Sequence, residues 1–264
     1  MKKDIHNKLI KYGAHTINDW VVIEIEGNKE KIYEFLQGQL TSDVNLINDD
    51  GFQMSSICDH KGYVVCDFIV NKNADVYKII ISKKLADILI KELEPFAQFF
   101  SVKFSLCKQK VVGHVMKSEI NSNKSYWYGE KYCLGLEVLG EDFDTDDSIG
   151  ENDWILANKL SKILFLDIKN IRKYRPLEIN YDDLRVSFDK GCFRGQEILA
   201  RMKYLGVDRR RFSTLVTKDA FKIDKKVKVV GEIIKVNDLK IFNAIIIKDQ
   251  IDALREKDSV IKII

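Results

Sequence analysis

Residues 190–201 read Lys-Gly-Cys-Phe-Arg-Gly-Gln-Glu-Ile-Leu-Ala-Arg. One cysteine, Cys192, lies here between two cations, Lys190 and Arg194. A helix is predicted directly after it, over residues 195–204. Because a helix N-terminus and neighbouring cations both favour negative charge, the pattern predicts an exposed cysteine with a stabilised thiolate. The alternative is a small, buried and inert hydrophobic residue, which is the usual state of a free cysteine.

The same stretch carries features that would hold such a cysteine in place. Gly191 and Gly195 permit tight backbone geometry and the close approach of a partner. Glu197 and Arg201 are four residues apart on the predicted helix, so their side chains can pair. We therefore assign the stretch a catalytic or reactive role. Its candidate residues are Lys190, Cys192, Arg194, Gln196, Glu197 and Arg201.

Three segments of the chain resemble the YgfZ-type folate-binding proteins. Residues 190–197 are similar to the family's Lys-Gly-Cys-aromatic-any-Gly-Gln-Glu signature, and Ala200 and Arg201 extend the match. Residues 35–44, Phe-Leu-Gln-Gly-Gln-Leu-Thr-Ser-Asp-Val, resemble the family's N-terminal Gln-Gly-Gln-hydrophobic-Thr-x-Asp-Val segment. Residues 58–63 resemble its Lys-Gly turn. The segments occur in the family's order, so the resemblance covers most of the chain.

The resemblance implies an α+β fold like that of the aminomethyltransferase (T-protein) of the glycine cleavage system. In that fold, two intertwined α+β lobes with antiparallel sheets are followed by a small C-terminal β-barrel. We expect residues 1–205 to form the two-lobed folate-binding region that carries the motif. Residues 206–264 are expected to form the barrel domain.

Hydrophobic periodicity and turn residues agree with an antiparallel sheet covered by helices, followed by an all-β segment. Asn28 is predicted to cap a helix, and Pro95 is predicted to end one. Helices are predicted over residues 29–37, 86–94, 152–164 and 167–175. Strands are predicted over residues 20–26, 52–58, 63–71, 77–82, 99–106, 110–116, 132–138, 212–217, 226–236, 240–248 and 259–264.

Tetrahydrofolate is the ligand that the resemblance implies, in contact with Trp20 at the start of the first strand. The alternative is a core tryptophan, which is the commoner role of tryptophan in a strand. Asp43 is a candidate acid, or else a residue that caps a turn. The candidate cofactor-binding residues are Trp20, Gln37, Gln39, Thr41, Asp43 and Phe165.

One segment departs from the family pattern. The family usually carries Glu-Ala-Gly after the position of Asn170-Ile171, whereas this chain has Arg172-Lys173-Tyr174. In T-proteins the corresponding glutamate contributes to the folate site. The departure therefore argues against folate chemistry more strongly than against folate binding.

A cytoplasmic accessory role in iron–sulfur cluster assembly or repair is the function that the resemblance implies. The dependent proteins would include cluster enzymes that modify tRNA, and the partners would be folate and iron–sulfur proteins or cluster assembly factors. Cys192 would act in redox exchange, as a persulfide, or as a transient iron ligand. The alternative is a tetrahydrofolate-dependent aminomethyl or one-carbon transferase.

Bulk composition limits the remaining functions. With 43 basic and 40 acidic residues the net charge is +3, which argues against direct nucleic-acid binding driven by overall charge. A basic cluster over residues 203–211 is interpreted as a solvated linker, with RNA, an acidic protein or a folate tail as alternatives. We find no secretory signal and no apolar run of the roughly 20 residues that a membrane span needs. The five cysteines form no Cys-x-x-Cys pair, so no stably bound metal is expected.

Overall fold

The computed structural model describes residues 5–118, 124–206 and 209–264. Its strands are, in chain order, β1 (Gly13–Thr16), β2 (Trp20–Glu26), β3 (Gly51–Cys58), β4 (Val64–Asn73), β5 (Val76–Ser82), β6 (Lys103–Cys107), β7 (Gln109–Lys117), β8 (Ser125–Tyr128), β9 (Tyr132–Gly140), β10 (Arg210–Lys218), β11 (Val227–Val236), β12 (Leu239–Ile247) and β13 (Val260–Ile263). Its α-helices are α1 (Ile5–Leu9), α2 (Lys29–Gln39), α3 (Lys83–Phe100), α4 (Glu151–Leu160), α5 (Tyr181–Leu184), α6 (Gln196–Leu205) and α7 (Ile251–Arg255). None of the described helices is long and apolar enough to cross a membrane.

The first sheet has five antiparallel strands in the order β3-β4-β5-β2-β6. Helix α2 begins after Asn28, whose side chain accepts hydrogen bonds from the amides of Glu30 and Lys31, as the sequence predicts. The buried side chains of α2 and α3, among them Phe35 and Leu89, join the inward face of the sheet in one core. Of the three segments that resemble the family, residues 58–63 form the β3–β4 turn of this sheet, and residues 35–44 lie at the end of α2 and directly after it.

The prediction that Pro95 ends a helix is wrong. Helix α3 runs through Pro95 to Phe100 and ends at Ser101, which adopts a left-handed conformation. Leu89, Leu93 and Ala97 lie on its buried face on both sides of the proline. Burial of that apolar face offsets the hydrogen bond that proline cannot donate, so packing overrides the local preference.

A second antiparallel sheet, in the order β1-β7-β9-β8, lies against the outer face of the first. Val22 and Ile80 from the first sheet pack with Val115 and Leu134 from the second, in one cluster of buried residues. Trp154 of α4 belongs to the same cluster. The predicted α+β class with antiparallel sheets is therefore confirmed.

The C-terminal strands form a sheet in the order β11-β12-β10-β13 with a small core of its own. The prediction of a closed barrel is wrong. In the part of the chain that the structure describes, β11 and β13 are the two edge strands of an open sheet and do not pair with each other. Four strands are too few to close around a packed interior, since small barrels of this kind use five to eight. The sheet instead covers its inner face with α7.

The segment over residues 161–195 is mostly irregular and connects the sheets. The helix predicted over residues 167–175 is absent there, and only a short 3₁₀ turn, Ile168–Asn170, forms. Backbone groups of this segment bond instead to β4: the Arg172 amide donates to the carbonyl of Val64, and the Val64 amide donates to the carbonyl of Tyr174. These long-range bonds replace the local ones that a helix would make.

Lys159, in the last turn of α4, is almost completely buried between α4 and the C-terminal sheet. Burial lowers its pKa from 10.5 to about 8, against the opposing charge of Glu232. The unfolded chain therefore holds one more proton than the folded chain between pH 8 and 10.5, so stability rises with pH across that window.

The substitution Lys159→Met should remove this pH dependence of the free energy of unfolding. At pH 7 we expect the variant to be more stable than the wild type by roughly 1–3 kcal/mol, because the cost of burying a charge disappears. Urea unfolding at pH 7 and pH 9.5 measures both effects, with the exposed Lys91→Met as the matched control. A variant that is less stable than the wild type at pH 7 would contradict the prediction.

Candidate functional site

Cys192 lies in the loop that precedes α6, three residues before its N-cap Gly195, and is exposed to solvent. Cys58, Cys66 and Cys133 are buried, and Cys107 is partly buried. The alternative of a buried, inert Cys192 is therefore excluded, whereas its reactivity stays a prediction.

Lys190 anchors this loop from inside the protein. Only 8% of the residue is exposed, and its Nζ donates to the carbonyls of Leu40 and Ser42, both at 2.8 Å. Burial lowers the pKa of Lys190 to about 8, while the charge of Asp43 acts in the other direction. The two hydrogen bonds tie the Cys192 loop to the segment that follows α2.

Arg194 fixes the other end of the loop. Its Nε donates to the carbonyl of Cys58 at 2.6 Å, and its guanidinium pairs with Glu92 at 3.0 Å. Glu92 also pairs with Arg172, which in turn reaches Asp59 at 3.4 Å. These four charged residues, Asp59, Glu92, Arg172 and Arg194, form the Glu92 cluster, which joins α3, the β3–β4 turn and the Cys192 loop.

Gly195 has φ +88° and approaches the β3–β4 turn closely. A Cβ on this residue would lie 2.6 Å from the carbonyl oxygen of Asp59 and 3.4 Å from the Cα of Gly62. Gly62 itself has φ +74°, and a Cβ there would lie 3.2 Å from side chains of α6. The loop and the turn can meet because both positions are glycines, which have no Cβ and tolerate a positive φ.

The remaining motif residues belong to the first turns of α6. The Gln196 side chain folds back, and its Oε1 accepts the amide of the buried Phe193 at 3.1 Å. Glu197 and Arg201 form the predicted pair at 3.1 Å on the exposed face of the helix. Gln196 therefore shapes the loop, whereas the Glu197–Arg201 pair faces solvent.

The segment after α2 is held by its own side chains. Gln37 Nε2 donates to Asp43 at 2.8 Å, and Gln37 Oε1 accepts the amide of Val44. Partial burial opposes ionisation of Asp43, but hydrogen bonds from the Asn45 amide and from Gln37 outweigh it and lower the pKa. The carboxylate caps the short turn that begins at Val44, which is the capping alternative raised by the sequence.

Thr41 and Gln39 differ in burial and in their hydrogen bonds. Thr41 is fully buried, and its hydroxyl donates to the carbonyl of Arg185 at 2.7 Å, so it supports the site from behind. Gln39 is partly buried, and its Oε1 accepts no hydrogen bond from any described residue.

Trp20 and Phe165 meet edge to face, with ring centroids 4.7 Å apart. Trp20 also lines an open cleft of about 300 Å³. On its other side, Phe165 covers the guanidinium of Arg185 at 4.9 Å. Among the described contacts none joins this aromatic pair directly to Cys192. The pair reaches Thr41 through Arg185, whose carbonyl accepts the Thr41 hydroxyl. The structure thus brings together the loop and motif residues, and keeps the aromatic pair apart.

A buried ionic network lies beneath this connection and was missed from the sequence. The Arg185 guanidinium lies 3.5 Å from Asp67 and donates to the carbonyls of Ser55, Phe68 and Leu164. Asp67 interrupts the apolar run over residues 64–70 of β4, which is the one signal that could have revealed it. Arg185 itself stands in no recognisable pattern, so the sequence offered no signal for it.

The exposure of Cys192 predicts its selectivity toward thiol reagents. With limiting iodoacetamide, we expect native protein to be modified first at Cys192, because the reagent must reach the thiolate. Peptide mass spectrometry locates the adduct, and Cys192→Ser should lose the fast phase. Faster labelling of Cys107, the partly buried thiol, would contradict the prediction.

The fold defines the class of protein. The glycine cleavage system aminomethyltransferase T from Bartonella henselae superimposes with a TM-score of 0.63 at 13% identity, covering 92% of this chain and 80% of that chain. The chain therefore has the T-protein-like fold that the sequence predicts.

Sequence comparison finds similar proteins that carry the name YgfZ. The chain is 26% identical over 231 residues to the tRNA-modifying protein YgfZ of Klebsiella pneumoniae (strain 342), covering 76% of this chain and 70% of the relative. It is 25% identical to the protein of that name from Escherichia coli O157:H7, covering 74% and 69%. The YgfZ resemblance found in the three segments is confirmed by these relatives. No protein-family model matches the chain.

Proposed function

We propose that this protein is a folate-binding accessory factor in the cytoplasm that supports iron–sulfur cluster assembly or repair. The enzymes it serves include cluster enzymes that modify tRNA, and Cys192 is its reactive group. The tRNA role is supported by the name of the relatives, and the folate role by the resemblance to folate-binding proteins and by the T-protein-like fold.

One observation carries this proposal. The three segments that resemble the family are far apart in the chain, yet they meet around Cys192. Lys190 bonds to the carbonyls of the first segment, and Arg194 and Gly195 contact the second. A loop held by buried bonds at Lys190 and partly buried ones at Arg194 presents its thiol in a fixed position, which suits a residue that reacts rather than one that packs.

We place folate beside Trp20. The cleft there offers an aromatic wall and polar side chains, the combination that a flat ring with a carboxylate tail requires. Trp20 would contact the ring system, with Phe165 supporting it from behind. Arg172, which stands where the family usually has glutamate, is engaged in the Glu92 cluster. Folate thus serves here as a ligand rather than as an acceptor activated by that carboxylate.

Cys192 is suited to bind iron or react with sulfur transiently. Its thiolate is the form that attacks sulfur and binds metal. In the described part of the chain, no three His, Cys, Asp or Glu side chains converge to hold a metal ion. Iron bound at Cys192 would therefore need further ligands from a second protein, which is how a cluster passes between partners.

Complementation tests this function. In cells that lack their own YgfZ-type protein, the wild type should restore one cluster-dependent enzyme and tRNA methylthiolation. The variant Cys192→Ser should restore less than about a tenth of either activity, because serine cannot replace a thiolate at neutral pH. Asp189→Asn, an exposed change on the same loop, is the matched control and should restore both.

The complementation results test the accessory role and the role of Cys192 separately. Rescue by both the wild type and Cys192→Ser would leave the accessory role standing and remove the cysteine from it. Failure of a soluble, well-expressed wild type would overturn the accessory role.

The T-protein-like fold favours one second candidate, a tetrahydrofolate-dependent aminomethyl transferase. Its signature is formation of methylenetetrahydrofolate from an aminomethyl donor. Purified protein that forms this product at a rate above the uncatalysed background would establish the transferase.

A further inference from the structure

The first turns of α2 and the β4–β5 hairpin form a second open cleft, which we name the α2 cleft. Its volume is about 390 Å³, within the range of small-molecule sites, roughly 300–1,000 Å³. The side chains that line it are Lys29, Glu30, Tyr33, Glu34, Lys72, Asp75 and Tyr77. None of these residues lines the cleft beside Trp20 or belongs to the Cys192 loop, so the α2 cleft is a separate site.

Tyr77 gives this cleft a buried polar group without a partner. Only 6% of the residue is exposed, because its ring packs in the core of the first sheet. Its hydroxyl forms no hydrogen bond with any described residue. Burial raises the pKa of Tyr77, and the charges of Lys72 and Asp75 act on it in opposite directions, so the hydroxyl lies among the residues that line the cleft. Since buried polar side chains are normally hydrogen-bonded, this hydroxyl is available to a ligand.

The two lysines of the α2 cleft are already paired with aspartates. Lys29 and Asp75, which both line the cleft, form an ion pair. Lys72 Nζ lies 2.9 Å from Asp49. The side chain of Asn28 accepts the first amides of α2, so the positive end of the helix is capped as well. The positive charges beside the cleft are therefore neutralised, which disfavours an anionic ligand.

The hydrogen-bonding capacity that remains in the cleft consists of oxygen atoms. Within the described part of the chain, the Glu30 carboxylate forms no ion pair or hydrogen bond, and the Tyr33 hydroxyl forms no hydrogen bond. Together with the Tyr77 hydroxyl they give three free oxygen acceptors. An alkylammonium group carries three N–H donors and a positive charge, so it matches the acceptors in number and Glu30 in charge. The faces of the tyrosine rings also attract a cation.

A second carboxylate lies one helical turn further along α2. Glu34 is four residues from Glu30, and at this spacing the Cβ atoms are neighbours on one face, roughly 5–6 Å apart. Glu34 pairs with Lys31 at 2.9 Å, but both side chains are about half exposed, so the pair contributes little and can yield to a ligand. A short chain with an ammonium group at each end can therefore reach both carboxylates.

We propose that the α2 cleft binds a linear aliphatic diamine, free or as part of a longer polyamine. One ammonium is held by Glu30, Tyr33 and Tyr77, and the other lies beside Glu34. The methylene chain between them lies against the tyrosine rings, which offer apolar surface. This site goes beyond the proposed function and depends neither on folate nor on Cys192.

Isothermal titration calorimetry of the full chain at low ionic strength tests the proposal, with 1,4-diaminobutane, spermidine and butylamine as ligands. The diamine should bind at one site about fivefold more tightly than butylamine, because its second ammonium gains an exposed ion pair. Spermidine contains the same diamine unit and should bind at least as tightly. Glu34→Gln should reduce the preference for the diamine to less than about twofold. Equal affinity of the wild type for the diamine and butylamine, or no saturable binding of the diamine, would overturn the proposal.

Tyr77→Phe is the sharpest variant, because it removes one oxygen and keeps the buried ring. Affinity for the diamine should fall roughly tenfold, since a hydrogen bond from a charged group is lost. The midpoint of urea unfolding without ligand should stay at the wild-type value, because the hydroxyl has no partner among the described residues. A lower midpoint would show that the hydroxyl serves the fold, and unchanged affinity would show that it serves no ligand; either result overturns the assignment.

Two glutamate variants test the counter-ion. Glu30→Gln should weaken binding of the diamine about fivefold, because the ammonium loses its ion pair. Glu94→Gln makes the same change at an exposed position of α3 that does not line the cleft, and should leave the affinity within about twofold. Equal losses in the two variants would mean that the diamine responds to overall charge alone, and would overturn the site.

Discussion

Replacing Arg185 with methionine should lower the free energy of unfolding by about 3–5 kcal/mol, because a buried carboxylate loses its counter-ion. Arg185 is 1% exposed, and its guanidinium donates to three backbone carbonyls from three separate parts of the chain. Asp67 is 3% exposed and would keep only the Leu166 amide and the Tyr181 hydroxyl as partners. Burial already raises the pKa of Asp67, and loss of the Arg185 charge would raise it further.

Urea unfolding followed by circular dichroism measures this effect. The matched control is Arg255→Met, which breaks an exposed pair with Asp252 and should change stability by less than about 0.5 kcal/mol. The double variant Asp67→Asn/Arg185→Met should recover part of the loss, since the unpaired charge is gone. A loss below about 1 kcal/mol in Arg185→Met would show that the network does not hold the segments together.

Gly195→Ala should disorder the Cys192 loop and abolish complementation. Alanine at φ +88° costs about 1–2 kcal/mol in backbone energy, and its Cβ would lie 2.6 Å from the carbonyl of Asp59. We expect a total destabilisation of roughly 2–4 kcal/mol, because relief of this contact must move either the loop or the β3–β4 turn.

The motif supplies its own control for this prediction. Gly191 flanks Cys192 on the other side, and a Cβ there would meet no atom within 4 Å. Gly191→Ala should therefore stay within about 0.5 kcal/mol of the wild type and keep full complementation. Equal stability and equal rescue for the two alanine variants would contradict the role assigned to Gly195.

The sequence predicted correctly those features that depend on neighbouring residues alone. The strand Trp20–Glu26 and the cap at Asn28 follow from short-range pattern and side-chain chemistry, and both are observed. The Glu197–Arg201 pair follows from helical spacing alone. Predictions failed where distant residues decide. Helix α3 continues through Pro95 because its apolar face is buried, and residues 167–175 bond to a strand rather than to each other.

In the candidate site, too, some features follow from neighbouring residues and others from distant ones. The residues around Cys192, the family that they resemble and the antiparallel α+β class can all be read from the sequence. Three features emerge only in the fold: Lys190 is buried against carbonyls, Arg194 belongs to the Glu92 cluster, and Arg185 pairs with Asp67 in the interior. Burial and pairing of charge depend on partners up to 150 positions away in the chain, and no local pattern encodes those partners.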